Sequence, residues 1–211
     1  MPDRVLTGHS PGPRLPPGSG AAAPVPRSFG FLSTYRPTGG GLASLTAALA
    51  AALQGGTPAS RVGIVRVVDR LERSARPEVV HHLVTSAPGG EAEAATILNG
   101  FDAVIVQHDY GVYGGPDGDQ LISVLARLTV PVIVVLHAVL SGPTLHQRDV
   151  LEQVLSAADA VVTTTATARY RLLEGYLVDP ARVVTISHDA PADEYRILAG
   201  ALVDAAEAVV A

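Results

Sequence analysis

The stretch Ala103-Val104-Ile105-Val106-Gln107-His108-Asp109-Tyr110-Gly111-Val112-Tyr113-Gly114-Gly115 passes from apolar residues directly into a polar, aromatic and glycine-rich segment. Residues 103–107 barely alternate with polar ones. A strand reads that way when both its faces are buried beneath helices, as in a parallel sheet. In a doubly wound sheet, ligands sit outside the C-terminal ends of the strands. His108, Asp109, Tyr110 and Tyr113 fall there, with glycines that permit a tight return of the chain.

Working outward, residues 29–33, 62–68, 79–84, 132–136, 160–164 and 183–186 have the same Val- and Ile-rich character. Between these runs lie helix candidates at 41–53, 90–98, 117–127, 144–156, 167–175 and 193–210. Thr144 is placed to cap its helix, and Gly175 sits where a C-terminal cap belongs. The connection 69–77 lacks a helical pattern and reads as an extended loop. Strands alternating with helices imply right-handed βαβ units. The expectation is a single Rossmann-like α/β domain, a doubly wound and mainly parallel sheet of about seven strands with helices on both faces. Residues 1–27 carry Pro2, Pro11, Pro13, Pro16, Pro17, Pro24 and Pro26 and read as a flexible leader. Residues 28–190 form the domain, and 191–211 a C-terminal helix packing on it. On that helix Ile197, Leu198, Ala201, Leu202, Ala205 and Val209 recur at helical spacing on one face.

Composition narrows the function. A hydrophobic fraction of 47% with a net charge of −5 suits a folded globular chain. Its 15 basic residues are all arginine and are scattered, whereas a nucleic-acid footprint needs a basic stripe. The absence of Cys removes disulfides, thiolate metal sites and cysteine nucleophiles. No run approaches the roughly 20 apolar residues of a membrane helix, and the start has no signal-peptide core, so the chain reads as cytoplasmic. There is neither a GxSxG elbow nor a P-loop, and no Lys at all.

Each strand end offers candidates. After the first come Thr34-Tyr35-Arg36-Pro37-Thr38-Gly39-Gly40-Gly41. Three glycines at a strand-to-helix turn let a ligand approach the backbone, and the free N–H groups of the next helix favour an anion. The spacing is not GxGxxG, and a flexible turn without a ligand is the plain alternative. After the fourth strand, His108 and Asp109 have groups to hold sugar hydroxyls, and Tyr110 or Tyr113 a face to stack on a sugar ring. The alternative for His108 is a satisfied structural histidine. His137, Thr163-Thr164-Thr165 and Ser187-His188-Asp189 follow later strands. His108, His137 and His188 lack the paired carboxylates and supporting pattern of a metal site, so no metal and no cofactor is assigned. His81 and His82 lie within or beside the third strand, where adjacent side chains point to opposite faces, and read as structural.

These motifs together resemble family-four retaining glycosyltransferases of the two-domain GT-B fold. Phe31-Leu32-Ser33-Thr34-Tyr35-Arg36-Pro37 with its glycines resembles their opening strand and loop. Residues 107–115 are similar to a loop that usually reads QHEYGIFGG. Val130-Pro131, Leu136-His137-Ala138-Val139-Leu140, Pro143-Thr144 and His146-Gln147-Arg148 resemble the next strand and helix. Ala158-Asp159-Ala160-Val161-Val162 and Val178-Asp179-Pro180-Ala181-Arg182-Val183 resemble the run to the domain boundary. The likeness covers residues 29–190. It implies that Gly39, Gly40 and Gly41 face the donor phosphate or transferred sugar. It also implies that His108 and His137 line the reacting centre, with Asp109, Tyr110 and Tyr113 on the acceptor side.

Three departures matter. Asp109 stands where Glu is usual, and the boundary motif IPHG appears as Ile186-Ser187-His188-Asp189. No second Rossmann domain with a basic pair and an EX7E motif follows; residues 193–210 resemble the helix that returns to the N-terminal domain, or are an ordinary last helix. The resemblance therefore implies an acceptor domain that transfers a sugar only with a donor domain. Its partners would be a sugar acceptor and, through a missing or separate donor domain, a sugar nucleotide. Two alternatives stay open: a non-catalytic interaction or scaffold module, and an enzyme completed by another chain or by self-association through the open cleft.

Overall fold

The structure, a computed structural model, describes residues 27–56, 60–71 and 76–186, together with 200, 203 and 204. Seven strands form one parallel sheet: β1 (Ser28–Ser33), β2 (Arg61–Val68), β3 (Val79–Val84), β4 (Ala103–His108), β5 (Val132–Leu136), β6 (Ala160–Thr163) and β7 (Val183–Thr185). Their order, β3-β2-β1-β4-β5-β6-β7, reverses direction at β1. The expected doubly wound Rossmann-like sheet is present.

Among the described residues, five helices connect the strands: α1 (Gly41–Gln54), α2 (Gly90–Leu98), α3 (Gln120–Leu125), α4 (Leu145–Ala157) and α5 (Ala166–Gly175). Because side chains alternate along a strand, each apolar run feeds two cores. Leu32, Val65, Val67, Val104, Val106, Val134 and Leu136 pack with residues of α2 to α5 on one face. Phe29, Phe31, Ile64, Ile105, Ile133 and Val135 pack with Leu45, Leu49 and Leu53 of α1 on the other. Strand residues that alternate between two buried faces are mostly apolar, Arg66, Gln107 and His108 being exceptions, which is why the runs showed so little polarity.

Glycine inside a strand weakens it, so Gly63 in β2 calls for a reason. A Cβ there would come within 2.3 Å of the Phe101 ring, so the glycine makes room for that aromatic under the sheet. Beside Phe101, the Asp102 carboxylate accepts the amide of Ser28 at 2.9 Å and ties the start of β4 to the start of β1.

Two helix ends differ from the sequence reading. Asp117 adopts φ 50°, left-handed backbone that an α-helix cannot continue through, so α3 starts at Gln120 after a short turn at Pro116–Gly118. Gly175 closes α5 without a left-handed cap; Tyr176, extended at φ −137°, ends the helix. Thr144 caps α4 as expected, in a reciprocal box with Gln147. Residues 1–26 of the leader, the boundary tripeptide Ser187-His188-Asp189 and most of the predicted helix 193–210 lie outside the described residues. Within that last segment, Gly200, Val203 and Asp204 are helical, and Val203 packs against the α1-side core.

Candidate active site

The parallel sheet carries every strand's C-terminal end to one rim, and the order reversal between β1 and β4 opens a crevice there. After β1, Gly39 and Gly40 are exposed, and a Cβ on either would meet nothing within 4 Å. Gly40 sits at φ 109°, a backbone that side-chain-bearing residues rarely adopt. It precedes Gly41, the first residue of α1, which has no side-chain cap and no acidic residue in its first turn. The first amides of α1 are thus left for water or an anion, with the helix dipole behind them.

Beneath this turn lies Arg66 of β2, 2% exposed. Its Nε donates to the Tyr35 carbonyl at 3.1 Å and its Nη2 to the Thr38 hydroxyl at 2.9 Å. Both contacts hold the loop that leads to the glycines. Tyr35 in turn donates its hydroxyl to Glu78 at 2.9 Å, and burial together with that carboxylate raises its pKa.

At the ends of β4 and β5, alternation separates the two predicted histidines. Gln107 follows Ile105 onto the α1 face, where its Oε1 accepts a hydrogen bond from Nε2 of the half-buried His137 at 2.5 Å. The Gln107 Nε2 is buried with no hydrogen-bond partner among the described residues. His108 follows Val106 onto the opposite face and is 1% exposed. Its Nδ1 has no hydrogen-bond partner among the described residues, and Tyr110 stands edge-on to it with ring centroids 5.1 Å apart. Burial, opposed by Asp109 and aided by His137, lowers the His108 pKa from 6.5 to about 4, so the ring is neutral at physiological pH.

The loop after β4 separates its candidates further. Asp109 turns its Oδ1 back to the Gly111 amide at 3.1 Å. The Tyr110 hydroxyl is buried; burial, then the neighbouring Tyr176 and the carboxylates of Asp117 and Asp109, raise its pKa. Tyr113 is 5% exposed in the core, its hydroxyl set against the carbonyls of Gln107 at 2.8 Å and Leu32 at 3.1 Å, and burial raises its pKa. No face of Tyr113 is offered for stacking. The loop then closes on α4: Asp117 pairs with Nδ1 of His146 at 2.9 Å and accepts from Gln147 at 3.0 Å, and these bonds lower its pKa.

A cavity of about 330 Å³ opens along the rim, lined by Thr34, Thr38, Arg66, Asp69, Arg70 and Gly111 among others. Thr34, Thr38 and Gly111 belong to the strand-end segments read from the sequence; Arg66, Asp69 and Arg70 were passed over, although Arg66 was visible as the one charge inside the run 62–68. A larger hollow of about 700 Å³, between α4 and the segment after α5, holds none of the predicted site residues. Among the described residues no three His, Asp or Glu side chains converge to hold a metal. No described helix is long and apolar enough to cross a membrane.

No family model matches the chain, and no curated protein matches it by sequence. Among solved structures it is similar to an α-glucosyltransferase in complex with UDP and a 13-mer DNA containing an HMU base. The TM-score is 0.53 and the identity 12%, over 75% of this chain and 41% of that one. The chain thus spans well under half of that enzyme, and at this identity the likeness is one of fold. The chain shares a Rossmann-like fold with part of that enzyme.

Proposed function

We propose that the described domain is the acceptor-side half of a retaining, family-four glycosyltransferase, and that a second unit, in the same or another chain, grips the sugar nucleotide. The observation that carries this reading is the rim itself. An open, uncapped glycine turn, a histidine held by a buried glutamine, and a cavity all stand at the C-terminal strand ends beside the β1–β4 reversal. The motif resemblance over residues 29–190 and the fold likeness to an α-glucosyltransferase support it.

In this reading, Gly39, Gly40 and Gly41 take the donor phosphate or the transferred sugar without a side chain in the way. The first amides of α1 then face negative charge that grows as the diphosphate departs, which is how fixed dipoles lower such a barrier. His137 is oriented by Gln107 toward the same rim. His108 is a neutral, packed ring beneath Tyr110, and it acts on the site by supporting the β4 loop. Asp109 and Tyr110 shape that loop on the acceptor side.

The test is release of nucleoside diphosphate from UDP-, GDP- and ADP-glucose with a panel of polyol and sugar acceptors. It is run with and without an added donor-binding unit. The reading requires acceptor-dependent release that His137→Ala abolishes. Release indifferent to His137, or no release in any combination, leaves a scaffold module as the better account.

A further inference from the structure

We infer that His146 is a proton-operated latch on the loop after β4: its charged ring holds the turn at 115–119 against the start of α4, and loss of that charge loosens the acceptor side of the rim. The latch rests on reading residues 109–119 as part of an acceptor side, and it regulates that same site.

Both of its contacts together need two protons on the ring. Nδ1 of His146 lies 2.9 Å from Oδ2 of Asp117, and Nε2 lies 3.7 Å from Oδ2 of Asp119. A neutral imidazole carries one N–H, and the lone pair on its other nitrogen is repelled by a carboxylate; the imidazolium offers a proton to each. The neutral ring therefore keeps at most one of the two contacts. The Asp117 carboxyl, held below its ordinary pKa by His146 and then Gln147, stays charged while the ring titrates. The ring is 45% exposed, so its proton exchanges with solvent, and histidine is the side chain that changes charge between about pH 5 and 8. Around it, α3 and the segment 138–143 carry no ionisable side chain. Arg148 is turned to Gly175 and Glu152, Asp109 to the Gly111 amide, and burial above all keeps the Tyr110 hydroxyl protonated.

What the latch holds bears on the site. Asp117 sits at φ 50°, a left-handed backbone that a residue with a side chain keeps only with help from its surroundings. That help is His146 together with Gln147, whose Nε2 donates to Asp117 Oδ1 at 3.0 Å. Gln147 is tied into the cap of α4, and Gln120 anchors Gly114 to Glu91, through bonds that do not titrate near neutral pH. His146 is the titrating member. The turn packs on the backbone of the acceptor-side residues: a Cβ on Gly118 would lie 3.2 Å from the Tyr110 carbonyl oxygen and 3.7 Å from that of Asp109. Loosening at 115–119 is thus passed to Asp109 and Tyr110.

Amide hydrogen exchange of the full chain at about pH 6 and about pH 8.5, each rate normalised to that of an unfolded chain, tests this beside His146→Gln and Asp119→Asn. The Gly118 and Asp119 amides bond within the turn, to the carbonyls of Gly115 and Pro116. We expect their protection to fall about threefold or more between the two pH values, the order of a partly exposed ion pair. The fall should vanish in His146→Gln and shrink in Asp119→Asn, with melting temperatures that show both variants folded. In the acceptor-dependent assay, the KM for the acceptor should rise over the same interval in the wild type and stay level in His146→Gln. Protection that is level with pH, or that falls equally in His146→Gln, would overturn the latch, as would an acceptor KM indifferent to His146. The step in protection without glycosyl transfer in any combination would keep the latch and remove the transferase reading. Transfer beside a turn whose protection ignores pH would do the reverse.

Discussion

His108 makes the sharpest prediction, because its burial has a measurable consequence in acid. A histidine whose folded pKa lies below its unfolded value takes up its proton first in the unfolded chain. Stability from the buried neutral ring is therefore whole above the unfolded pKa of 6.5 and is lost as pH falls toward the folded value of about 4. Between about pH 7.5 and about pH 5, the difference in proton binding amounts to about 2 kcal/mol. That is a large share of the 5–15 kcal/mol, roughly, that such a domain has. His108→Leu removes the titration, and since Nδ1 has no hydrogen-bond partner among the described residues it breaks none of their bonds there. Urea unfolding of both proteins across this range, followed by circular dichroism, isolates the contribution, because the two proteins differ only at this ring. The wild type should lose about 2 kcal/mol more than His108→Leu on acidification. Parallel stability curves, or a His108 ring that titrates near its ordinary pKa, would refute the buried neutral ring.

The remaining predictions follow from packing. Gly63→Val pushes a side chain into Phe101, where even a Cβ lies 2.3 Å from the ring, and should cost about 3 kcal/mol or more in chemical unfolding. Gly39→Ala meets open space and should leave the melting temperature unchanged, so any loss of ligand response in that variant reports a contact at the glycine turn. Val203→Asp places a charge against the α1-side core and should lower stability by about 1–3 kcal/mol, measured in the same way. Unchanged stability in that last variant would mean that Val203 contributes nothing to covering the sheet.

How far the sequence carried depended on what each residue answers to. The inner strands β1, β2, β4, β5 and β6 were legible because burial on both faces demands nearly unbroken apolar runs, as 132–136 and 103–106 show. The caps at Thr144 and Thr165 are local, and Thr144 could be read from spacing alone. The start of α3 could not, because Asp117 takes a left-handed conformation held by His146 and Gln147, partners about 30 residues away in sequence. The site was legible as a set of strand ends, but not as a set of faces. Gln107 and His108 are neighbours in sequence, and pleating sends one to the His137 side and the other beneath Tyr110. Tyr113 read as a stacking surface because aromatic residues after a strand suit that role; only the fold reveals that its hydroxyl meets two core carbonyls. Arg66 stood out as the one charge inside 62–68, but nothing local shows that its side chain reaches back to Tyr35 and Thr38.

The central claim is an acceptor-side domain whose glycine turn faces a donor it cannot hold alone. Titrating the isolated chain with UDP-, GDP- and ADP-glucose, while following backbone amide shifts, tests it most directly. The account predicts weak binding, with Kd on the order of 1 mM or higher, about 4 kcal/mol at most. It also predicts that the shifts gather at Gly39 to Ala43 and at His137. A low-micromolar Kd, or shifts that leave the glycine turn and His137 untouched, would contradict it.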